Sequence, residues 1–166
     1  MGNVQVIKDT FYASLRDRVA AGNVARTAAI RGVLRPGVVV VENELPGAAL
    51  DGIAPVEAFS LRWTGMRGVG QGLVALLCEI RYATDGSVGA VGMDRGRALA
   101  AMDAELLAAA SAEPRAADAL VFASAGAGGT PSGLGRIFWG DLAFGAAVIR
   151  AERMERVAEI EVFGYV

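Results

Sequence analysis

Apolar residues fall on every second position from Val74 to Tyr82, with Leu76, Cys78 and Ile80 between them, while Glu79 and Arg81 occupy the opposite side. That alternation predicts a strand with one face buried, ending at Asp85-Gly86. After a glycine-broken loop the period changes: Leu99, Met102, Leu106 and Ala110 recur three or four residues apart, with Asp94, Arg95, Arg97 and Glu105 around them. One stripe of a helix is therefore apolar and the remainder wet. A strand followed by such a helix is stable only when the stripe covers the sheet, and this unit sets the frame for the rest of the chain.

Upstream, Thr10 to Ala21 predicts a first helix. Asp9 or Thr10 would cap it, with Phe11, Leu15, Val19 and Ala20 on one face and Arg16, Asp17 and Arg18 on the other. Gly22-Asn23 predicts its end. Ala25 to Val33 then reads as a short strand, joined through Pro36-Gly37 to a β-branched strand from Val38 to Glu42, the two making a hairpin. Asn43 to Pro55 shows neither period and reads as a loop. In Val56 to Met66, Phe59, Leu61 and Trp63 alternate with Ser60, Arg62 and Thr64. Gly65, Gly68, Gly70 and Gly72 then lead into the central strand, which predicts antiparallel neighbours joined by a mobile hairpin tip.

Beyond the second helix, Ala116 to Ala123 fits either a helical turn or a strand, and the pattern does not decide between them. Ala125 to Gly135 is glycine-rich and predicts a loop. Ile137-Phe138-Trp139 reads as a short aromatic strand closed by Gly140-Asp141, and Leu142 to Ile149 as an extended segment of weak pattern. From Val157 to Val166, Ala158, Ile160 and Val162 share one face, and Glu159, Glu161, Phe163 and Tyr165 the other, a final strand. The order predicts an α+β fold, a mostly antiparallel sheet with two main helices packed on one face. It forms one domain over residues 1–166, with loops at 43–55 and 125–135.

The length of 166 residues suits a single domain with a genuine core. Hydrophobic residues reach 54% and mean hydropathy is +0.41, inflated by alanine yet still hinting at surface buried against partners. A net charge of −2 supplies no general attraction for nucleic acid or an anionic membrane. Nearly all the positive charge is arginine, Lys8 being the one lysine. No apolar run approaches the ~20 residues a membrane helix needs. Met1 to Asp9 lacks the pattern of a secretory signal, which places the expected location in the cytoplasm. Cys78, alone on the apolar side of a strand, reads as a packing residue.

There is no histidine, which removes the usual general base, the usual nucleophile triads and most zinc sites. The run from Gly126 to Arg136 resembles a phosphate loop only in glycine content, since no lysine precedes its hydroxyl residue. Glu159 and Glu161 share a strand face and could flank a substrate or a hard cation, but such spacing is ordinary alternation on a half-exposed strand. No catalytic residue, metal site or cofactor is expected. Arg16, Arg18, Arg31 and Arg35, with Arg26, form a basic cluster diluted by Asp9 and Asp17, suited to a neighbour's carboxylates, to nucleic acid or simply to surface ion pairs. Trp63, Phe138 and Trp139 lie near glycine turns. Aromatic residues there are enriched at interfaces, and Ile137 to Asp141 is expected to be a contact element between subunits.

Five segments together resemble one family. They are the opening helix Phe11-Tyr12-x-x-Leu15-Arg16-x-Arg18-Val19, the strands from Phe59 to Trp63 and from Leu76 to Tyr82, the helix from Asp94 to Leu107, and the closing strand from Arg156 to Tyr165. In order and type they are similar to the tail terminator and tail completion proteins of tailed bacteriophages and phage-derived particles. The resemblance covers most of the chain by element order, and no single motif in it is diagnostic. It implies a small α/β structural protein without catalytic residues or cofactor, forming a homo-oligomeric ring, typically a hexamer, on the head-proximal end of the tail tube. The implied partners are the tail tube protein and the head-tail connector or neck proteins, with DNA passing through the lumen without sequence-specific binding and no membrane involved. The implied location is the virion tail, after assembly in the host cytoplasm. The segments 43–55 and 125–135 would be extra relative to the smallest members. They leave open a head-tail adaptor or the cap of a contractile injection system. A small ligand-binding or regulatory α+β domain has the same element order.

Overall fold

Asn3 starts the first helix: its side-chain oxygen accepts the Gln5 N–H at 2.9 Å, satisfying one of the donors a helix start leaves unpaired. The computed structural model describes residues 3–29, 39–42, 54, 56–86, 92–123 and 128–166. Helix α1 spans Val4–Ala29 and buries Ile7, Phe11, Leu15 and Val19 along one stripe, with Ala20 left exposed. The expected cap at Asp9 or Thr10 is thus nearly two turns too late. The helix also runs through Gly22-Asn23 and takes in Ala25–Ala29 instead of giving way to a strand. Glycine costs a helix interior about 1 kcal/mol, and the alanines on both sides, the best helix formers, offset it. The expected hairpin is therefore not formed from residues 25–29. Its remaining first half and its turn lie outside the described residues.

Strand β1 (Val39–Glu42) instead pairs in parallel with β2 (Ala58–Gly70). β2 and β3 (Leu73–Thr84) are antiparallel neighbours, as their alternation predicts. Gly65, Gly68 and Gly70 belong to β2 and not to a mobile tip. The turn is only Gln71-Gly72, with φ of 53° and 77°, the left-handed pair that a tight hairpin following the sheet twist requires. Helix α2 (Gly92–Ser111) follows, and Ala116–Val121 forms β4, which decides the open alternative in favour of a strand. β5 (Thr130–Trp139) absorbs much of the expected glycine-rich loop, of which residues 125–127 lie outside the described residues. A ladder needs backbone, not side chains. Thr130 and Pro131 pair with Val121 and Leu120, and Gly133 and Gly135 take up the positive φ of the irregular stretch. β6 (Ala143–Phe144), β7 (Val148–Arg150) and β8 (Arg153–Tyr165) complete the chain. Of the expected loop at 43–55, only Ala54 is described.

The sheet order is β1-β2-β3-β8-β5-β4, with β6 and β7 also along β8. This is the α+β architecture expected: two helices contact an eight-stranded, mostly antiparallel sheet. In register, Leu61, Ile80 and Ala158 line up on one face, as do Trp63, Cys78 and Ile160, and Leu76 and Val162. These side chains pack with Phe11, Leu15, Leu99, Met102 and Leu106 into one apolar cluster. Cys78 is fully buried, as its place in the alternation predicts. α1 approaches β8 so closely that a Cβ on Gly164 would stand 2.7 Å from the Ile7 side chain. The Thr10 hydroxyl donates to the Val6 carbonyl at 2.6 Å and accepts the Leu120 N–H at 3.0 Å, fastening β4 to α1. No helix among the described residues is long and apolar enough to cross a membrane.

Candidate functional site

Strand alternation that buries one face of β3 and β8 must present the other, and that second face carries most of the exposed chemistry. Glu79 stands directly opposite Glu159, and Leu77 opposite Glu161. Arg67 on β2 forks onto Glu161, with its Nε 3.2 Å from Oε1 and its Nη2 3.0 and 3.3 Å from the two carboxylate oxygens. Arg62 reaches Glu79 at 3.9 Å. Glu159 has no ion-pair partner among the described residues, although like charges placed directly across a ladder repel. Beside this stripe Phe138 and Phe163 stack with centroids 5.1 Å apart and planes 9° from parallel. A hollow of about 250 Å³ adjoins Phe163 and the carboxylates, lined by Leu77, Asp141, Glu159, Glu161 and Phe163. A second, of about 430 Å³, adjoins it and shares Glu159.

The residues singled out from sequence divide between this face and the interior. Phe138 is half of the exposed stack, and Asp141 is exposed and paired with Arg115, whose guanidinium it holds above the usual value by a hydrogen bond. Trp139 is buried. Its Nε1–H donates to the Ala110 carbonyl at 2.8 Å and its ring meets Phe11 edge-on at 5.4 Å. Of the expected contact element 137–141, then, Phe138 and Asp141 are the side chains at the surface. Trp63 packs edge-on against Phe11 at 5.9 Å, with Lys8 over its ring.

Arg18 also turns inward. It lies over the Trp139 ring at 4.8 Å and donates to the carbonyls of Ala109, Ala112 and Pro114. These carbonyls stand at and just beyond the end of α2, where a helix leaves acceptors unpaired and its dipole favours a cation. Partial burial pulls the Arg18 guanidinium below its usual value, and nearby Glu113 opposes that pull. Arg16 remains exposed, bonded to Asp17 at 3.0 Å and raised by that bond. Arg31, Arg35 and the side chain of Arg26 lie outside what the structure describes, so of the expected basic cluster only Arg16 and Arg18 are seen, and they face different ways.

A buried polar group ties α2 to the sheet. Tyr82 donates to Asp103 at 2.5 Å, and Arg156, across the ladder from Tyr82, meets the same carboxylate oxygen at 2.9 Å and donates to the Gly145 carbonyl. Burial first, then the bond to Asp103, hold the Tyr82 hydroxyl protonated far above the ordinary tyrosine range. None of the cavities described here opens on it, and its role is positional. Among the described residues no group of three or more Cys, Asp or Glu side chains is placed to hold a metal ion.

Sequence reasoning passed over Arg67 and Phe163. Arg67 sits among glycines whose spacing predicts a mobile tip, whereas the alternation from Val157 places Phe163 on the same face as Glu161. What the face offers chemically is recognition by charge and by aromatic stacking. No protein-family model matches the chain, and a comparison with curated proteins finds no match.

Proposed function

We propose that the chain is a structural subunit of a phage-type tail, assembling into a homohexameric ring that caps the head-proximal end of the tail tube. In this reading it ends tube polymerisation and presents the surface to which head-tail connector or neck proteins join. DNA passes through the lumen without sequence-specific contact, and no covalent bond is made or broken. The reading begins from the resemblance in element order. The observation that supports it best is the second face of the sheet, where paired charges, Glu159 with no ion-pair partner among the described residues, and the stacked Phe138 and Phe163 lie on adjacent strands, suited to a protein partner. The expected result is a ring several times the 17.1 kDa chain mass in negative stain, which halts growth when added to polymerising tube protein. A chain that stays monomeric, or a tube that grows on past it, would end this reading.

One feature favours the ligand-binding alternative: an apolar cavity of about 570 Å³ between the helices, lined by Val19, Ala101, Ala104 and Ala108 among others. That size suits a small apolar ligand. A monomer whose thermal midpoint rises with added fatty acid or sterol would favour it over the ring.

A further inference from the structure

Two stretches of strand have no ladder partner on their outer side among the described residues. β1 covers β2 only from Ala58 to Leu61, which leaves Arg62 to Gly70 as an outer edge. Across the sheet, β7 at Val148–Arg150 forms the outer edge alongside β8. The two most exposed large apolar side chains among the described residues sit one on each: Met66, 62% exposed, and Ile149, 71% exposed, accompanied by Val69 and Val148. Neither stretch contains the lysine, proline or acidic residues that commonly protect an edge from pairing. Their arginines are engaged within the chain, Arg67 on Glu161, Arg62 near Glu79 and Arg150 near Glu155. The β4 edge, in contrast, is fastened to α1 through Thr10.

The directions of these edges are complementary. β2, β3, β8 and β7 alternate in sense, so β7 runs opposite to β2. A second copy set beside the first, with its sheet facing the same way, therefore brings its β2 edge antiparallel to the first copy's β7 edge, with the helices of both on one side. We infer that copies of this chain join head to tail by antiparallel pairing of the β2 edge at 62–70 with β7 of the neighbour, Met66 and Val69 packing against Val148 and Ile149. A second copy is the occupant because a fitting partner must offer an apolar, uncapped strand of this sense, and the chain carries one on its opposite side. Met66 and Ile149 map to points eight residues apart on β3, Leu76 and Thr84. Each copy therefore steps roughly 27 Å along the strands. Such a stagger tilts the strands of a closed ring, as shear does in a barrel. The contact uses two different patches, the kind that generates rings.

The inference rests on the self-assembly reading, and one set of proteins separates the two. Met66→Lys with Val69→Lys blocks one edge, and Val148→Lys with Ile149→Lys blocks the other, all at exposed positions. Gly68→Pro and Ala147→Pro serve as a second pair should either lysine variant lose its circular dichroism. By light scattering the native chain is expected to form the large species and each blocked variant to fall to 17.1 kDa. An equimolar mixture of the two variants, each keeping one good edge, is expected to give a dimer of twice that mass and nothing larger. A blocked variant that still assembles or pairs with itself, or a mixture that stays at the single-chain mass, overturns the edge pairing and leaves the ring reading standing on other surfaces. A native chain that is monomeric at high concentration ends both.

Discussion

The two faces of β3 and β8 are made by the same backbone and do opposite things. On the covered face Leu76, Cys78, Ile80, Ala158, Ile160 and Val162 are buried against Phe11, Leu15, Leu99, Met102 and Leu106. Full burial of each large apolar side chain contributes about 1.5–3 kcal/mol. On the other face Glu79 and Glu161 meet Arg62 and Arg67 in half-exposed pairs, each worth about 0–1 kcal/mol. Stability is concentrated on one side, so the other is free to be chosen for what it touches.

Truncation tests that division most strongly. Leu106→Ala, on the covered side, is expected to cost about 2–5 kcal/mol in urea unfolding. Leu77→Ala, one residue from the buried Leu76 but pointing the other way, is expected to cost well under 1.5 kcal/mol. Equal losses would mean that the second face is a core surface and not a contact surface. The same contrast separates two arginines. Arg18→Ala strips the end of α2 of its bonds and uncovers Trp139, with an expected loss of about 1–3 kcal/mol. Arg67→Ala gives up a solvent-exposed fork to Glu161 and is expected to stay below about 1 kcal/mol.

How far this division could be read from the sequence depended on whether side chains or backbone decided the structure. β3, α2 and β8 were legible because their alternation is uninterrupted from Val74 to Tyr82, Leu99 to Ala110 and Val157 to Val166. The misreadings lie where glycine or asparagine punctuates the text. Gly22-Asn23 resembles a helix stop, yet α1 continues through it. Gly65 to Gly70 resembles a loop, yet it is strand, held by a ladder to which side chains contribute little, and Gly133 to Gly135 is an irregular stretch inside β5, flanked by paired residues on both sides. The candidate site suffered from the same blind spot. Trp139 was read as surface because Gly140 follows it. What buries it includes the last turn of α2, far off in sequence, where the Ala110 carbonyl accepts its Nε1–H.

Between those magnitudes stands the clasp that ties α2 to the covered face. The Tyr82 hydroxyl, buried and donating to Asp103, keeps its proton well above the ordinary range. In the unfolded chain a tyrosine ionises near pH 10. Because the folded value is raised, this contribution is fully present below about pH 10 and is lost progressively as pH climbs beyond it. The slope reaches at most about 1.4 kcal/mol per pH unit. Urea midpoints measured across that window should decline for the native chain and decline less for Tyr82→Phe. Parallel curves would show that the alkaline loss arises elsewhere, and that the clasp does not couple α2 to the sheet in the way its geometry implies.

The smallest expected effect concerns the two tight turns at opposite ends of the sheet. Gln71-Gly72 joins β2 to β3 and Ala151-Glu152 joins β7 to β8, and in both pairs each residue has positive φ. Only the first has a glycine to accept it. Ala151 and Glu152, at φ of 48° and 66°, each bear the cost of about 1 kcal/mol that a side chain meets in the left-handed region. Glu152→Gly removes one such cost and returns part of it as extra freedom of the unfolded chain, about 0.4–1 kcal/mol. The net expectation is a gain of a few tenths of a kcal/mol in the urea midpoint. Gly72→Ala should do the reverse and more, since its new Cβ would also come within 3.3 Å of the Val166 carbonyl oxygen. A loss in Glu152→Gly would mean that the β7 turn is held in its shape by something other than its own backbone, and the edge it presents at Val148 and Ile149 would then have to be explained by that support.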